Sequence, residues 1–210
     1  MAHIKARPRF SELLDLACGR AGEGGETRAR KLQLTIACTL GALAFSAVWG
    51  LAAGSATPAL AAANTVKVPL VILLSSLCAV PAGLLAIELS GIRYRASDLL
   101  LSFASGLFGG ALVLAVLAPL VAVYYHTSAL VGTKLAIGSA FTALGVGVMV
   151  FARNAYARAT KVANRFAVTI AVVAFTIILI IAMVQFIAIA SPILPTASAF
   201  DGGVDTLLRR

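Results

Sequence analysis

The sequence predicts an all-α protein: a polytopic membrane helical bundle of five transmembrane helices with a short amphipathic helix ahead of them. Three observations carry this. Hydrophobic residues make up 60% of the 210 and charged residues only 12%, against about 45–50% and about 25% in soluble domains. Five apolar runs match or exceed the roughly 20 residues needed to cross a hydrocarbon core about 30 Å thick. Lysines and arginines cluster between those runs, with only Lys67 and Lys134 inside them, near the edges. A soluble chain of this size would have too little polar surface to cover so many apolar helices.

Residues 1–31 form a basic tail carrying Lys5, Arg7, Arg9, Arg20, Arg28, Arg30 and Lys31. Within it Phe10, Leu13, Leu14 and Ala17 recur at helical spacing opposite Glu12 and Asp15, and Pro8 and Gly19 bound the segment. Such a helix lies either on anionic headgroups or on the protein's own loops; the spacing fits both. Gly22 to Gly25 reads as a flexible joint.

The membrane domain is expected over residues 32–192, with a C-terminal tail over 193–210. The first span covers about 32–51. Ala59-Leu60-Ala61 resembles a signal-peptidase site, but about thirty polar residues precede a full-length span, so it is read as a retained helix. The second span, 66–89, places Pro69 in its first turn, where proline costs no hydrogen bond, and Pro81 in its middle, where a kink is expected. The third span, 99–123, sets Ser102, Gly106, Gly109 and Gly110 on one face, with the small-xxx-small spacing that lets helices approach closely; Pro119 is a second expected kink. The fourth, 129–151, shows Lys134, Gly138, Thr142 and Gly145 along one stripe, read as a second packing face. The fifth, 166–190, has Gln185 as its one strongly polar interior residue and stops at Ser191-Pro192.

Thirteen of the seventeen lysines and arginines fall in the first tail, the turn between spans two and three, and the loop between spans four and five. The positive-inside rule then puts the N-terminus in the cytoplasm and the C-terminus outside, in what reads as a bacterial inner membrane. Trp49, Tyr94, Tyr124, Tyr125 and Tyr156 fall at span ends or turns, where amphipathic aromatics prefer to sit. The net charge of +9 is thereby assigned to anionic lipids at the cytoplasmic face and not to nucleic acid. Cys18, Cys38 and Cys78 have neither a metal spacing nor a disulfide framework and read as packing residues.

Little in the chain points to catalysis. His3 and His126 are far apart in sequence, and no metalloprotease motif, nucleophile elbow or phosphate loop occurs; no catalytic residue, metal or cofactor is expected. A charge at mid-membrane costs about 2.5–3.5 kcal/mol and is by default functional, which singles out Glu88 and Lys134. Glu88, however, lies beside Arg93 and Arg95, where an interfacial ion pair would account for it. Lys134 is within snorkelling reach of the opposite surface, although its stripe suggests that it faces other helices. The two approach opposite membrane faces and are not read as partners.

Lys67-Val68-Pro69-Leu70, the apolar run to Pro81, and Leu117-Ala118-Pro119-Leu120 resemble a class of uncharacterised bacterial multi-span membrane proteins that look distantly similar to the Ypt-interacting (Yip-type) family. The resemblance covers about residues 60–125 and implies five packed spans behind a cytoplasmic tail. That family organises membranes and recruits small GTPases, but this tail carries no motif onto which that role maps. The expected function is a non-enzymatic membrane scaffold or accessory subunit, its basic segments meeting anionic lipid or a membrane or cytoplasmic protein partner. The alternative is a small transporter or channel built on kinked spans two and three with Glu88 or Lys134.

Overall fold

The structure, a computed structural model, describes residues 8–20, 26–91, 94–159, 165–196, 201 and 203. The glycine joint at 22–25, His3, Lys5, Arg7, Arg93 and Lys161 lie outside the described residues, as does the tail from 204 on. Six α-helices follow one another: α1 (Phe10–Ala17), α2 (Arg28–Ala53), α3 (Pro58–Leu89), α4 (Ala96–Thr127), α5 (Ala129–Arg158) and α6 (Arg165–Ala190). The last five are long and apolar enough to cross a membrane, and no strand occurs among the described residues. The N-termini of α2, α4 and α6 and the C-termini of α3 and α5 share one end with α1; the α2–α3 and α4–α5 turns share the other.

Helix α3 starts eight residues before the apolar run that announced it. Thr57 caps it, its Oγ1 accepting from Leu60 N–H, and Pro58 takes the first helical position. The cap, the proline and the alanine-rich segment behind them are strong helix starters that a hydropathy threshold does not weigh. Pro69 is therefore an interior residue and not a first-turn one. Helices α3 and α4 run on through Pro81 and Pro119, both exposed, so the expected kinks produce no break in either helix.

Helix α4 packs mainly on α5 and α2, α2 also on α3, and α3 on α6, whereas α5 and α6 meet only lightly. The α4–α5 seam rests on glycine. A Cβ added at Gly106 would lie 2.6 Å from Gly147 O, and one at Gly110 would lie 2.7 Å from Ala143 O. Gly109 is turned toward α1, 3.6 Å from Ala17 O by the same measure, and Ser102 is wholly buried. On α5 the expected face is wrong. Gly138, Thr142 and Gly145 are exposed, and an added Cβ at either glycine meets nothing within 4 Å. The buried face runs instead through Ala136, Ser139, Ala143, Val150 and Asn154. It lies one residue, about 100° of helix rotation, from the expected stripe.

The polar residues on the outer faces bracket an apolar belt. Lys67 and Glu88 on α3 are about 31 Å apart along the helix, Lys134 and Arg153 on α5 about 28 Å, and Arg165 and Gln185 on α6 about 30 Å, at 1.5 Å per residue. These separations match a hydrocarbon core of about 30 Å. The packing predicts that Gly106→Leu or Gly110→Leu lowers stability by about 1–3 kcal/mol or more through overpacking. Gly138→Leu or Gly145→Leu should leave it nearly unchanged. Unfolding midpoints in a mild detergent distinguish the two pairs.

Candidate functional site

The polar side chains with the most organised surroundings lie at the α1 end. Lys31 lies at the fourth position of α2, one residue before its apolar run, and Asp98 lies in the first turn of α4, where the helix dipole favours a carboxylate. Because α2 and α4 pack side by side, Lys31 Nζ donates to Asp98 Oδ1 at 2.5 Å, and Lys31 is only 3% exposed. Arg158, at the end of α5, brings Nη1 to 3.7 Å from the same oxygen and 3.3 Å from Glu26 Oε2. Two cations thus face two carboxylates, the balance that a buried ion cluster requires. Arg158 Nε and Nη2 are buried without a hydrogen-bond partner.

A neutral shell surrounds these charges. Ser102 Oγ donates to Asp98 O at 2.7 Å, Tyr94 Oη donates to Ala155 O at 3.3 Å, and Asn154 Nδ2 donates to both Ser105 Oγ and Leu16 O. The Leu16 bond ties α1 to α5. Glu12 pairs with Arg30 at the start of α2 and also accepts from Arg9 N–H, securing α1 at its other end. Leu13 and Leu16 pack on Leu34, Cys38, Leu101, Ala104 and Phe108. The apolar face of α1 is therefore buried against protein, which decides between the two surfaces the sequence allowed. Phe10, at the rim, stays exposed, with its ring edge-on to Phe108.

The intramembrane candidates do not converge. Glu88 is exposed at the α1 end of α3, and Lys134 is exposed near the opposite end of α5. Gln185 is exposed on α6, with its Oε1 beside Gly203. Glu88 and Lys134 mark the borders of the belt, so the inward orientation expected for Lys134 is not adopted. His126 is exposed at the end of α4 away from α1, and no group of three metal-ligating side chains occurs among the described residues.

A cavity of about 240 Å³ lies among α3, α4, α5 and α6, with Trp49 of α2 in its wall. Of its polar side chains, Thr176 Oγ1 donates to Val172 O, Asp201 accepts from Ser191 Oγ, and Trp49 Nε1 donates to Ser139 Oγ. Glu88 and Lys134 are absent from the wall. The segment after α6 closes the end away from α1: Asn64 Nδ2 donates to Ile193 O at 2.6 Å and Lys67 Nζ to Pro192 O at 3.2 Å.

Set against known proteins, the chain matches no family model, no curated protein and no solved structure.

Run length alone missed the ion cluster, because Lys31 and Asp98 each sit one residue outside an apolar run. Helical periodicity could have found half of it. Asp98 lies one turn before Ser102 on the face that continues through Ser105 and Gly109, so it points inward with them.

Two outcomes follow. Asp98→Ala should destabilise the protein by about 3 kcal/mol, since it leaves Lys31 and Arg158 short of a counter-charge, and Lys31→Met combined with Asp98→Leu should recover most of that loss. A double-mutant cycle on unfolding midpoints checks this. Burial pushes the Tyr94 phenol up to about 12 from 10.0. Between those values the unfolded chain has lost the proton that the folded one keeps, so stability is full below about pH 10 and falls as pH rises toward 12. Tyr94→Phe should remove that part of the alkaline loss when melting curves are compared across the interval.

Proposed function

We propose that the protein is a non-enzymatic integral membrane scaffold or accessory subunit, seated in the bacterial inner membrane with its α1 end in the cytoplasm. One observation carries the reading. The buried charges at the α1 end are taken up in an internal clamp, while Arg9, Arg20, Arg28, Arg95, Arg153 and Arg165 stand exposed around it. A rigid end ringed by cations suits an anionic surface, where each basic residue contributes about 1 kcal/mol, and suits the positive-inside orientation. The clamp holds the tail against the bundle, so a partner or lipid headgroups meet a preformed face. The five spans behind an N-terminal tail are compatible with the Yip-type resemblance.

Transport through Glu88 or Lys134 draws no support, since both lie on the outer surface and outside the cavity wall. The reading is tested by purifying the tagged protein in mild detergent and measuring co-purifying proteins and anionic phospholipid. Arg28→Glu, Arg95→Glu and Arg153→Glu together should abolish stoichiometric retention of either while the unfolding midpoint stays near wild type. Unchanged retention, or flux across vesicles that Glu88→Gln abolishes, would count against it.

A further inference from the structure

We propose that the slot between α5 and α6 is a binding site for one acyl chain of a bilayer lipid. The wall is built from Val71, Phe103, Leu107, Leu144 and Leu179, with Trp49 at its inner side. Phe141 of α5 and Ile180 of α6 belong to the same wall, yet they are 57% and 38% exposed. The slot is therefore continuous with the outer surface of the bundle. Helices α5 and α6 come together at the α1 end, where Tyr156 Oη and Thr169 Oγ1 lie 2.7 Å apart and the rings of Phe151 and Phe175 are 5.3 Å apart. From there toward the other end, the wall on α5 extends from Phe151 to Ala136, about 22 Å of helix.

That length falls between Arg153 and Lys134, inside the apolar belt, so the medium at the opening is hydrocarbon and not water. The polar groups in the wall are already bonded within the protein, and none of those bonds calls for water. An apolar void of about 150 Å³ stays dry and takes up benzene; at about 240 Å³ this one is larger. Left empty, its lining would forgo dispersion contacts that a methylene chain restores. Shape selects the occupant. Spread over about 22 Å, such a volume makes a thread-like slot, far narrower than the roughly 10–12 Å across a helix with side chains. A second copy of the chain would need a wider groove.

Trp49 is the single tryptophan of the chain and is 6% exposed, so it reports contact inside the slot. The full-length protein is reconstituted into phosphatidylcholine vesicles whose acyl chains are either dibrominated or unmodified. Trp49 should lose most of its emission in the brominated lipid. Ala140→Phe combined with Leu144→Phe, which fills the slot, should restore most of it. Equal emission in the two lipids overturns the proposal, as does quenching that the filled variant leaves unchanged. Should the filled variant not reconstitute, native mass spectrometry of the wild type decides: one retained phospholipid per chain supports the site, and a bare chain overturns it. Unquenched Trp49 together with disulfide cross-linking of Phe141→Cys to a second copy would assign the slot to protein and overturn it likewise.

Discussion

The buried contact between Lys31 and Asp98 is the constraint on which the α1 end of the bundle depends. Neither charge can be left alone among Leu34, Leu99 and Leu101 without a penalty of several kcal/mol. Satisfying both fixes which turn of α2 meets which turn of α4. Arg158 then has to arrive from α5 at the same oxygen, with Glu26 to balance it, so three spans are set in register by one carboxylate. Ion pairs of this kind are better attested as devices for register than as sources of stability. Here the specificity is needed, because apolar helices in lipid have little hydrophobic preference for one neighbour over another.

The remaining packing follows from that register. With α4 fixed, Gly106 and Gly110 face Ala143 and Gly147 closely enough to exclude any side chain, which makes α4–α5 the tightest seam. Ser105 and Asn154 on the same two helices leave the amide of Asn154 free to bind Leu16 O, and α1 is drawn into the groove above them. On the far side α6 is held chiefly by α3, with the aromatic contacts of Phe175 to Phe103 and Phe151 at one end. The α5–α6 seam is weak because, among the described residues, no ion pair and no close glycine contact links the two helices, although Ala136, Ala140, Ala143 and Gly147 of α5 line the space between them. An apolar slot is the physical result.

Much of this was legible in the sequence, for reasons that also explain the rest. Run length is an absolute measure in a membrane, so the five spans could be read directly, and the helical spacing of Phe10, Leu13, Leu14 and Ala17 marked the short helix before them. The Gly106/Gly110 face was legible because α4 concentrates its small residues on one side. Helix α5 carries small residues at almost every angle, and the spacing rule had no basis for preferring Ala136-Ser139-Ala143 over Gly138-Thr142-Gly145. Glu88 and Lys134 attracted attention because they interrupt apolar runs, yet they mark where the belt ends. Lys31 and Arg158 read only as members of a basic tail and loop, and Asp98 only as one of the few carboxylates on hand, since flanking charges are ordinarily solvated; the assembled bundle brings the three together out of water. The slot has no local signature at all: its wall is assembled from five helices and the segment after α6.

Cys38 offers the most direct view of the clamp, because it is fully buried beneath α1 and beside the ion cluster, among Leu13, Leu16 and Leu34. In a chain with Cys18→Ser and Cys78→Ser, the rate at which a maleimide labels Cys38 in mild detergent measures how often the α1 end opens. Local opening governed by the clamp should make labelling slow in the otherwise native chain and much faster with Asp98→Asn, while global unfolding stays negligible over the assay. Rapid labelling with Asp98 intact, or a rate indifferent to the Asp98→Asn change, would contradict the claim that the Lys31–Asp98 contact holds this end of the bundle together.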